Sequence, residues 1–524
     1  MKRAAGIEPA SSAWKAEVLP LNYARNSRSV LCNAPFRPSF EGAVRGTIAL
    51  WPDLQARSKL AATHHTSAAT IPELGKSARR RLVWSYGLGD IGTGMAATQL
   101  GFYLFVFYTG VVGLPAWMAG LVLMVLKVWD GINDPVVGWL SDHTKHPWGP
   151  RLPWMAGSAI PLGLSLVAMW WVPPGGDWQK FALLVLIQLV AMALYTCVNL
   201  PYSALASELT GSTQLRTELN ASRFTGSILA GLAGLVLGAL LVGQGAPGYL
   251  RMGWVSGLLL TVFTLLCCWG LAPFAPGCQR PKGQPEPLGR QLRRLAANPR
   301  FLRVLGLYLL LWCALQLMQP VSLIFLAVVM HLPESWSTWI LIPFQLSALV
   351  GLQLWSRVSG SYGRVWALRW GTGLWIAGCL VAMLLIPLDA NTAPLASASN
   401  AIGLALLVLT IVVIGLGAST AYLIPWALLP DAIDADPDQP AGLYTAWMVV
   451  TQKMGIGVAV FALGNVLSWS GYQASEGLIQ PASALTTIRL CMGLIPAVLI
   501  VAGLLVMRRW PEKGLHRRPA SPPP

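Results

Sequence analysis

Charge is what this sequence has least of. Only 11% of its 524 residues are charged and 55% are hydrophobic, whereas a soluble chain carries about a quarter charged residues. That deficit excludes an ordinary soluble domain. Acidic residues are the scarcer sign, 21 Asp and Glu against 37 Lys and Arg, for a formal net charge of +16. The excess does not read as nucleic-acid binding, because the basic residues sit in short loops and tails and form no stripe interleaved with aromatics. Cysteine is sparse too: eight in all, with no CxxC pair. Cys197, Cys267, Cys268, Cys313, Cys379 and Cys491 lie in apolar runs, where a free thiol acts as a small hydrophobe. The six histidines form no HxxxH-type cluster, which argues against a metal cage. Short alternating strands are also missing, so a β-barrel is excluded.

What the chain does have is long apolar runs, each able to cross a bilayer core of roughly 30 Å as a helix. Twelve are expected, near 82–109, 116–141, 152–172, 181–207, 222–243, 253–273, 303–330, 336–356, 365–387, 399–429, 442–469 and 485–507. The fold class is therefore an all-α polytopic membrane protein. A first six-helix bundle covers 81–273, a polar basic linker 274–302, a second bundle 303–509 and a tail 510–524. Residues 1–80 differ in kind, being polar with Pro, Ser and Arg and no sustained apolar run. They read as a disordered extension, as an Arg-bearing transit segment, or as a stretch upstream of the true start.

Lys145, Arg151, Arg216, Arg223, the linker basics Arg280 to Arg300, Arg357, Arg364, Arg369 and the C-terminal Arg508 to Arg518 all fall on one side of these spans. The opposite loops carry little beyond Lys180 and Arg251. Both termini are then expected in the cytoplasm, and the protein in a plasma (bacterial inner) membrane. The halves echo one another: GWLSDHTKHPWGPR (138–151) after the second span matches WSRVSGSYGR (355–364) after the eighth, each with a Gly before a final Arg. Parallel six-helix repeats are a transporter architecture that rocks about a midplane site.

The second span holds the strongest functional signal, VLKVWDGINDPVVGWLSD (125–142). Lys127, Asp130 and Asp134 share one helix face, near the middle of the bilayer at ~1.5 Å per residue from Pro115. Each lone charge there costs about 2.5–3.5 kcal/mol on insertion scales, so the face should line a polar cavity. Asp130 and Asp134 one turn apart, with Asn133 beside them, suit a hard cation, and Thr196 or Tyr195 on a neighbouring span is placed to complete the site. The plainer alternative is a Lys127–Asp130 ion pair that fixes packing. Asp142 should pair with a loop arginine. Asp90, Asn199, Arg223 and Lys453 are further polar groups at depth. LLPDAIDADPDQP (428–440) contains a DxD spacing; without a nucleotide domain beside it, its carboxylates, Asp431 and Asp434 among them, are expected to meet cytoplasmic arginines such as Arg151 in an inner gate.

SYGLGDIGTG, FYTGVVGLP, KVWDGINDPVVGWLSD, WGPRLPW, LPYSALASELT, RTELNASRF, and LLPDAID followed by LYTAWMVVTQKMG together resemble the glycoside–pentoside–hexuronide:cation symporters, the melibiose permease branch of the major facilitator superfamily. The likeness runs in order over about 82–507, and the eukaryotic sodium-dependent lysophospholipid symporters share the framework. The resemblance implies a major facilitator fold with twelve transmembrane helices in two halves. It also implies Na+, H+ or Li+ coupling at Asp130 and Asp134 with Asn133 and Thr196, and no cofactor. Lys453 matches a lysine placed near both the cation and substrate sites, and Arg223 an arginine opening the fifth helix. The sugar-reading positions depart from the family: Gly94 and Asn199 stand where sugar-binding aspartates are expected, and Ser203 stands at the stacking tryptophan. Melibiose itself is therefore not the expected solute.

The expected protein is a non-enzymatic symporter, working as a monomer, that moves a sugar, glycoside or similar small organic solute with Na+ or H+ by alternating access. Its substrate site is expected among Asp90, Tyr195, Asn199, Arg223 and Lys453, and its gate among Asp142, Arg151, Asp431 and Asp434. The alternative within the same superfamily is a lysophospholipid or other amphiphile carrier. A membrane-embedded enzyme or sensor is the alternative outside it.

Overall fold

The computed structural model describes residues 75–210, 213–274, 287–388, 397–436, 441–474 and 479–510. Most of the expected N-terminal extension, the first part of the linker with Arg280 and Lys282, and the tail beyond 510 lie outside them. The described residues are α-helical with two π-helical turns and one 3-10 turn, and contain no strand. The first half contains α1 (Lys76–Leu88), α2 (Ile91–Val106), α3 (Ala116–His143), α4 (Leu152–Met169), α5 (Asp177–Glu208), α6 (Thr213–Leu241) and α7 (Ala246–Leu271). A short α8 (Leu288–Ala296) leads into α9 (Pro299–Ile324), α10 (Glu334–Tyr362), α11 (Arg364–Leu384), α12 (Ala398–Ile433), α13 (Ala441–Trp469), α14 (Ala482–Met492) and α15 (Leu494–Met507).

Eleven stretches among the described residues are long and apolar enough to cross a membrane, the last spanning α14 and α15 together. The first expected span differs. It is not one rod from 82 to 109 but α1 and α2, broken at Gly89–Asp90. Packing is close at the break: a Cβ on Gly89 would lie 2.4 Å from Tyr202 and 2.8 Å from the Cys267 sulfur, so the chain passes here only without a side chain. Asp90 then starts α2, and its Oδ1 accepts a 2.6 Å hydrogen bond from Thr93 Oγ1. With this broken rod counted as one crossing, the expected twelve are present. The linker also differs from a plain polar loop, because α8 lies within it and α9 begins at Pro299, earlier than 303. Asn298 caps α9 by accepting from the amides of Arg300 and Phe301 at 3.1 and 3.0 Å.

The internal repeat is visible in the backbone. The first helix of each half ends in a π-turn, Phe107–Val111 and Phe325–Val329. The next helix begins after Pro115 or Pro333, both extended, as suits a residue just outside a helix. In the two echoing loops, Gly149 and Gly363 take φ of 77° and 98°, a region that side chains disfavour. Each glycine thereby turns the arginine that follows it, Arg151 or Arg364, back toward its own bundle.

The halves meet along α2–α9, α6–α10 and above all α3–α13. The α3–α13 seam is antiparallel. Trp117 N donates to Ser468 Oγ at 3.0 Å, and a Cβ on Gly120 would sit 3.3 Å from Gly464 Cα. One step inward, a Cβ on Gly457 would touch the Lys127 Cβ at 3.0 Å. Small residues let two backbones approach where lipid supplies no hydrophobic drive between helices. The seam is tight at the end away from the basic loops. It parts toward the basic end, where a cavity of about 2380 Å³ lies between the halves. Tyr362, Arg369 and Asp431 line its mouth, and Lys127, Asp130 and Lys453 lie deep within it.

Candidate functional site

Two charged clusters stand at the depth of that cavity. The first is at the inner end of the α3–α13 seam. Lys453 Nζ lies 2.9 Å from Asp130 Oδ1 and 2.6 Å from Asp134 Oδ2. Spacing of one helical turn puts both carboxylates on the face of α3 that meets α13. Asp130 is 4% exposed, and Thr196 Oγ1 of α5 donates a long 3.4 Å bond to its Oδ1. Pro135 lies inside α3, and its missing N–H leaves the Gly131 carbonyl without its usual helical donor. Two carboxylates thus hold a single positive charge supplied by the other half of the protein, with the Thr196 hydroxyl on one of them. Carboxylate and hydroxyl oxygens are donors of the kind that suits hard cations.

Lys453, expected at the substrate site, pairs with both aspartates of this cluster and also lines the cavity. The Lys127–Asp130 pair considered as the plainer alternative does not form; among the described residues Lys127 has no ion-pair partner within 4.0 Å, and Asp130 is taken by Lys453. Lys127 stands half-buried on the same face, one turn further along the seam. Asn133 is buried, and its amide nitrogen has no hydrogen-bond partner. Among the described residues no hydrogen bond joins the Asn133 side chain to either aspartate.

The second cluster lies between α2, α5 and α6 and gathers the other substrate candidates. Arg223 Nε donates to Asp90 Oδ2 at 3.0 Å, Nη1 to Ser203 Oγ at 3.0 Å and Nη2 to Asn199 Oδ1 at 3.3 Å. Asn199 Nδ2 reaches Tyr195 OH at 3.5 Å. The guanidinium also lies 4.9 Å from the centroid of the Tyr202 ring, a cation–π contact. Tyr202 is held in turn by its hydroxyl, which donates to Tyr86 O at 2.6 Å, and by stacking on Tyr86. The break at Gly89–Asp90 is what presents Asp90 at the end of a helix, where Arg223 can reach it.

At the basic end, Arg151 binds Glu208 through Nε at 2.9 Å and Nη2 at 2.6 Å, donates to Ser141 Oγ at 2.6 Å, and pairs with Asp142. Burial works against the Arg151 charge, but Glu208 and Asp142 hold its pKa above the ordinary arginine value. The expected gate pairing of Arg151 with the acidic loop is not made among the described residues in this arrangement. Instead Asp431 binds Arg364 at 2.9 Å, and Asp436 takes Arg294 at 3.3 Å and a 2.8 Å bond from Tyr444 OH. Asp434 is exposed and has no ion pair among the described residues. The reason is geometric: the cavity separates the halves at this end, so each arginine is satisfied within its own bundle.

Sequence reasoning passed over the polar groups of the second half that face the cavity, among them Gln316, Gln319, Gln345 and Gln452. The signal was available, since Gln316 and Gln319 interrupt an apolar span at helical spacing, but amides do not stand out as charges do.

Comparison with known proteins agrees in one direction. Residues 85–512 match the family of MFS/sugar transport proteins. The chain is 31% identical to an uncharacterised symporter, sll1374, of Synechocystis, over 82% of this chain and 94% of that protein. It is 26% identical to the putative glycoside/cation symporter YagG of Escherichia coli (80% and 89%). It is also 23% identical to the sodium-dependent lysophosphatidylcholine symporter 1-A of Danio rerio (90% and 93%). Among solved structures, a mutant form of the nucleoside transporter NupG superposes with a TM-score of 0.63 at 15% identity, over 82% of this chain and 99% of that one. A bacterial homologue of the lysosomal transporter Spinster, inward-facing and unoccupied, gives 0.56 at 16% identity (83% and 98%).

Proposed function

The chain belongs to the MFS/sugar transport protein family, and from that premise we propose that it is a symporter that carries a sugar, glycoside or similar polyhydroxylated solute with Na+ or H+. Its cation site is the Asp130, Asp134 and Thr196 oxygen set, with both termini and the open cavity on the cytoplasmic side. The observation that carries this reading is the Lys453 ammonium, held at 2.9 and 2.6 Å between two carboxylates of the opposite half. Without a coupling ion, Lys453 offsets one of the two carboxylate charges and ties the halves at the seam. When Asp130 and Asp134 take Na+ or H+, they release Lys453, and the tie across the seam changes with them.

Coupling then needs no further device. Cation and solute each favour the same closed arrangement of the two halves, so each raises the affinity for the other. Arg223, Asn199 and Tyr195 line the cavity close by, with Asp90 buried behind Arg223, and this cluster belongs to the machinery that senses the solute. The positive-inside distribution of Arg and Lys supports the cytoplasmic assignment of the mouth, and the self-contained Arg151 and Arg364 pairs support an inward-open arrangement.

Proteoliposomes loaded with low Na+ and diluted into high Na+, or given a pH step, test the reading with a radiolabelled solute panel. Wild type should accumulate solute against its gradient, and Asp134→Asn should abolish accumulation while still exchanging solute down its gradient. Undiminished accumulation in Asp134→Asn refutes the cation site. A second reading, lysophosphatidylcholine transport, draws support from the similarity to the Danio rerio symporter and from the many apolar side chains along the cavity; including that lipid in the panel separates the two.

A further inference from the structure

The cavity wall opposite the Asp90–Arg223 cluster is built from different chemistry. On α9, Trp312, Gln316 and Gln319 are four and three residues apart, so they share one face, and all three line the cavity. Gln345 of α10 and Tyr422 and Trp426 of α12 join them. Trp312 meets Tyr422 edge-to-face at 5.0 Å, and Trp426 packs in the same manner on Tyr308, 5.6 Å away, which itself abuts Trp312 at 5.9 Å. The aromatic cluster is thus braced from behind and keeps its place.

The amides on this wall are not committed to the protein. The side chains of Gln316, Gln319 and Gln345 are half-buried, and none has a hydrogen bond within the described residues. Trp312 Nε1 is buried and also lacks a partner. Gln319 reaches toward the other half, where a Cβ on Gly101 would lie 2.7 Å from its Oε1. From Trp312 to Gln319 the face runs about 10 Å along the helix. A neutral amide both donates and accepts, which suits hydroxyls and ring heteroatoms; a phosphate or carboxylate would call for cations in those places. On the facing wall Ser203, at the position where the resembling sugar carriers stack a ring, is already engaged by Asn199 O and Arg223.

We infer that this wall of the second half selects the solute: an uncharged ring compound bearing several hydroxyls, with its apolar face against Trp312 and Tyr422 and its hydroxyls on Gln316, Gln319 and Gln345. The inference rests on the transport reading above and assigns specificity to the half that does not carry the paired aspartates. Trp312, Gln316 and Gln319 are specificity-determining residues in this scheme, and Asp90 with Arg223 is a positioning pair.

The test is equilibrium binding to the purified full chain in detergent, with nitrophenyl galactoside, methyl glucoside, uridine and lysophosphatidylcholine as probes. Affinity for the ring compound that wild type binds should fall about 3- to 10-fold in Gln316→Met and in Gln319→Met, and further in the double variant. Methionine keeps the side-chain length, so the wall stays filled. Trp312→Phe should retain most of the affinity that Trp312→Ala loses. The melting shift that Na+ or acid produces without solute should be the same in every variant, which shows that the cation site and the fold are intact. Unchanged ring-compound affinity in the Gln316→Met/Gln319→Met double variant overturns the inference, as does a wild type that binds lysophosphatidylcholine and none of the ring compounds. A wild type whose melting responds to neither Na+ nor pH refutes the coupling reading instead, and the ring-compound affinities still decide the wall.

Discussion

Replacing Lys453 by glutamine should tighten cation binding while destroying coupling. The ammonium bonds Asp130 at 2.9 Å and Asp134 at 2.6 Å, and it is 20% exposed against 6% and 17% for the two carboxylates. A hydrogen bond to a charged group is worth about 1.5–3 kcal/mol when buried, and partial exposure of the ammonium reduces the pair of bonds well below their sum. On the order of 2 kcal/mol is then spent displacing Lys453 whenever a coupling ion enters, a factor of about 30 in affinity. Lys453→Gln removes that competitor and leaves an amide that still fits the space. Titration of the purified variant with Na+, followed by the melting shift, should give an apparent Kd roughly 30-fold below wild type; if wild type responds to acid and not to Na+, the same displacement appears as a raised midpoint of the pH titration. Gradient-driven accumulation should be lost in the same variant, because the seam no longer reports the state of the site. Unchanged or weakened ion affinity in Lys453→Gln refutes the argument, since it would mean that the lysine builds the site and does not compete for it.

The two arginines of the repeat should differ in what they contribute to stability. Arg151→Ala strands a Glu208 that is 7% exposed at its side chain and should cost about 3–5 kcal/mol. Arg364→Ala breaks a pair that is 36% and 26% exposed and should cost about 1 kcal/mol or less. Denaturant titration in detergent compares them, and equal losses refute the burial argument. Lys127→Met should move the voltage dependence of transport. With Asp130, Asp134, Lys127 and Lys453 all ionised, the empty set is neutral and a bound monovalent cation makes it +1; without Lys127 the empty set is −1 and the loaded set neutral. Solute exchange, which uses only the loaded carrier, should therefore respond to membrane potential in wild type and not in Lys127→Met, and proteoliposomes under an imposed K+ diffusion potential measure it.

How much of this was legible beforehand depends on the range over which each feature is decided. The spans, the all-α class and the repeat were legible because each rests on local pattern: a run of about 20 apolar residues, or a glycine before an arginine. Gly149 and Gly363 take positive φ for reasons confined to their own loops, and the arginines after them find acids in their own bundles. The pairing of Asp130 with Asp134 was legible too, since one helical turn fixes it. Two features were not. At the break between Gly89 and Asp90 the backbone is held against Tyr202 and Cys267, more than a hundred residues away in the chain, and nothing in SYGLGDIGTG announces that contact. The partner of Asp134 is a lysine 319 residues further on, and helix periodicity within α3 favours Lys127 for the role because Lys127 is near in sequence. What excludes Lys127 is the antiparallel seam. With Ser468 opposite Trp117 and Gly464 opposite Gly120, each step inward on α3 is a step back on α13. That register brings Gly457 to Lys127 and Lys453 to the aspartates. A pattern confined to one helix cannot carry that register, because it is set by small residues on two helices from different halves. The inner gate is likewise decided between the halves: a pairing of Arg151 with Asp431 or Asp434 needs the halves to touch at the basic end. In this arrangement the contact is at the opposite end, where Gly120 and Gly464 let the backbones meet.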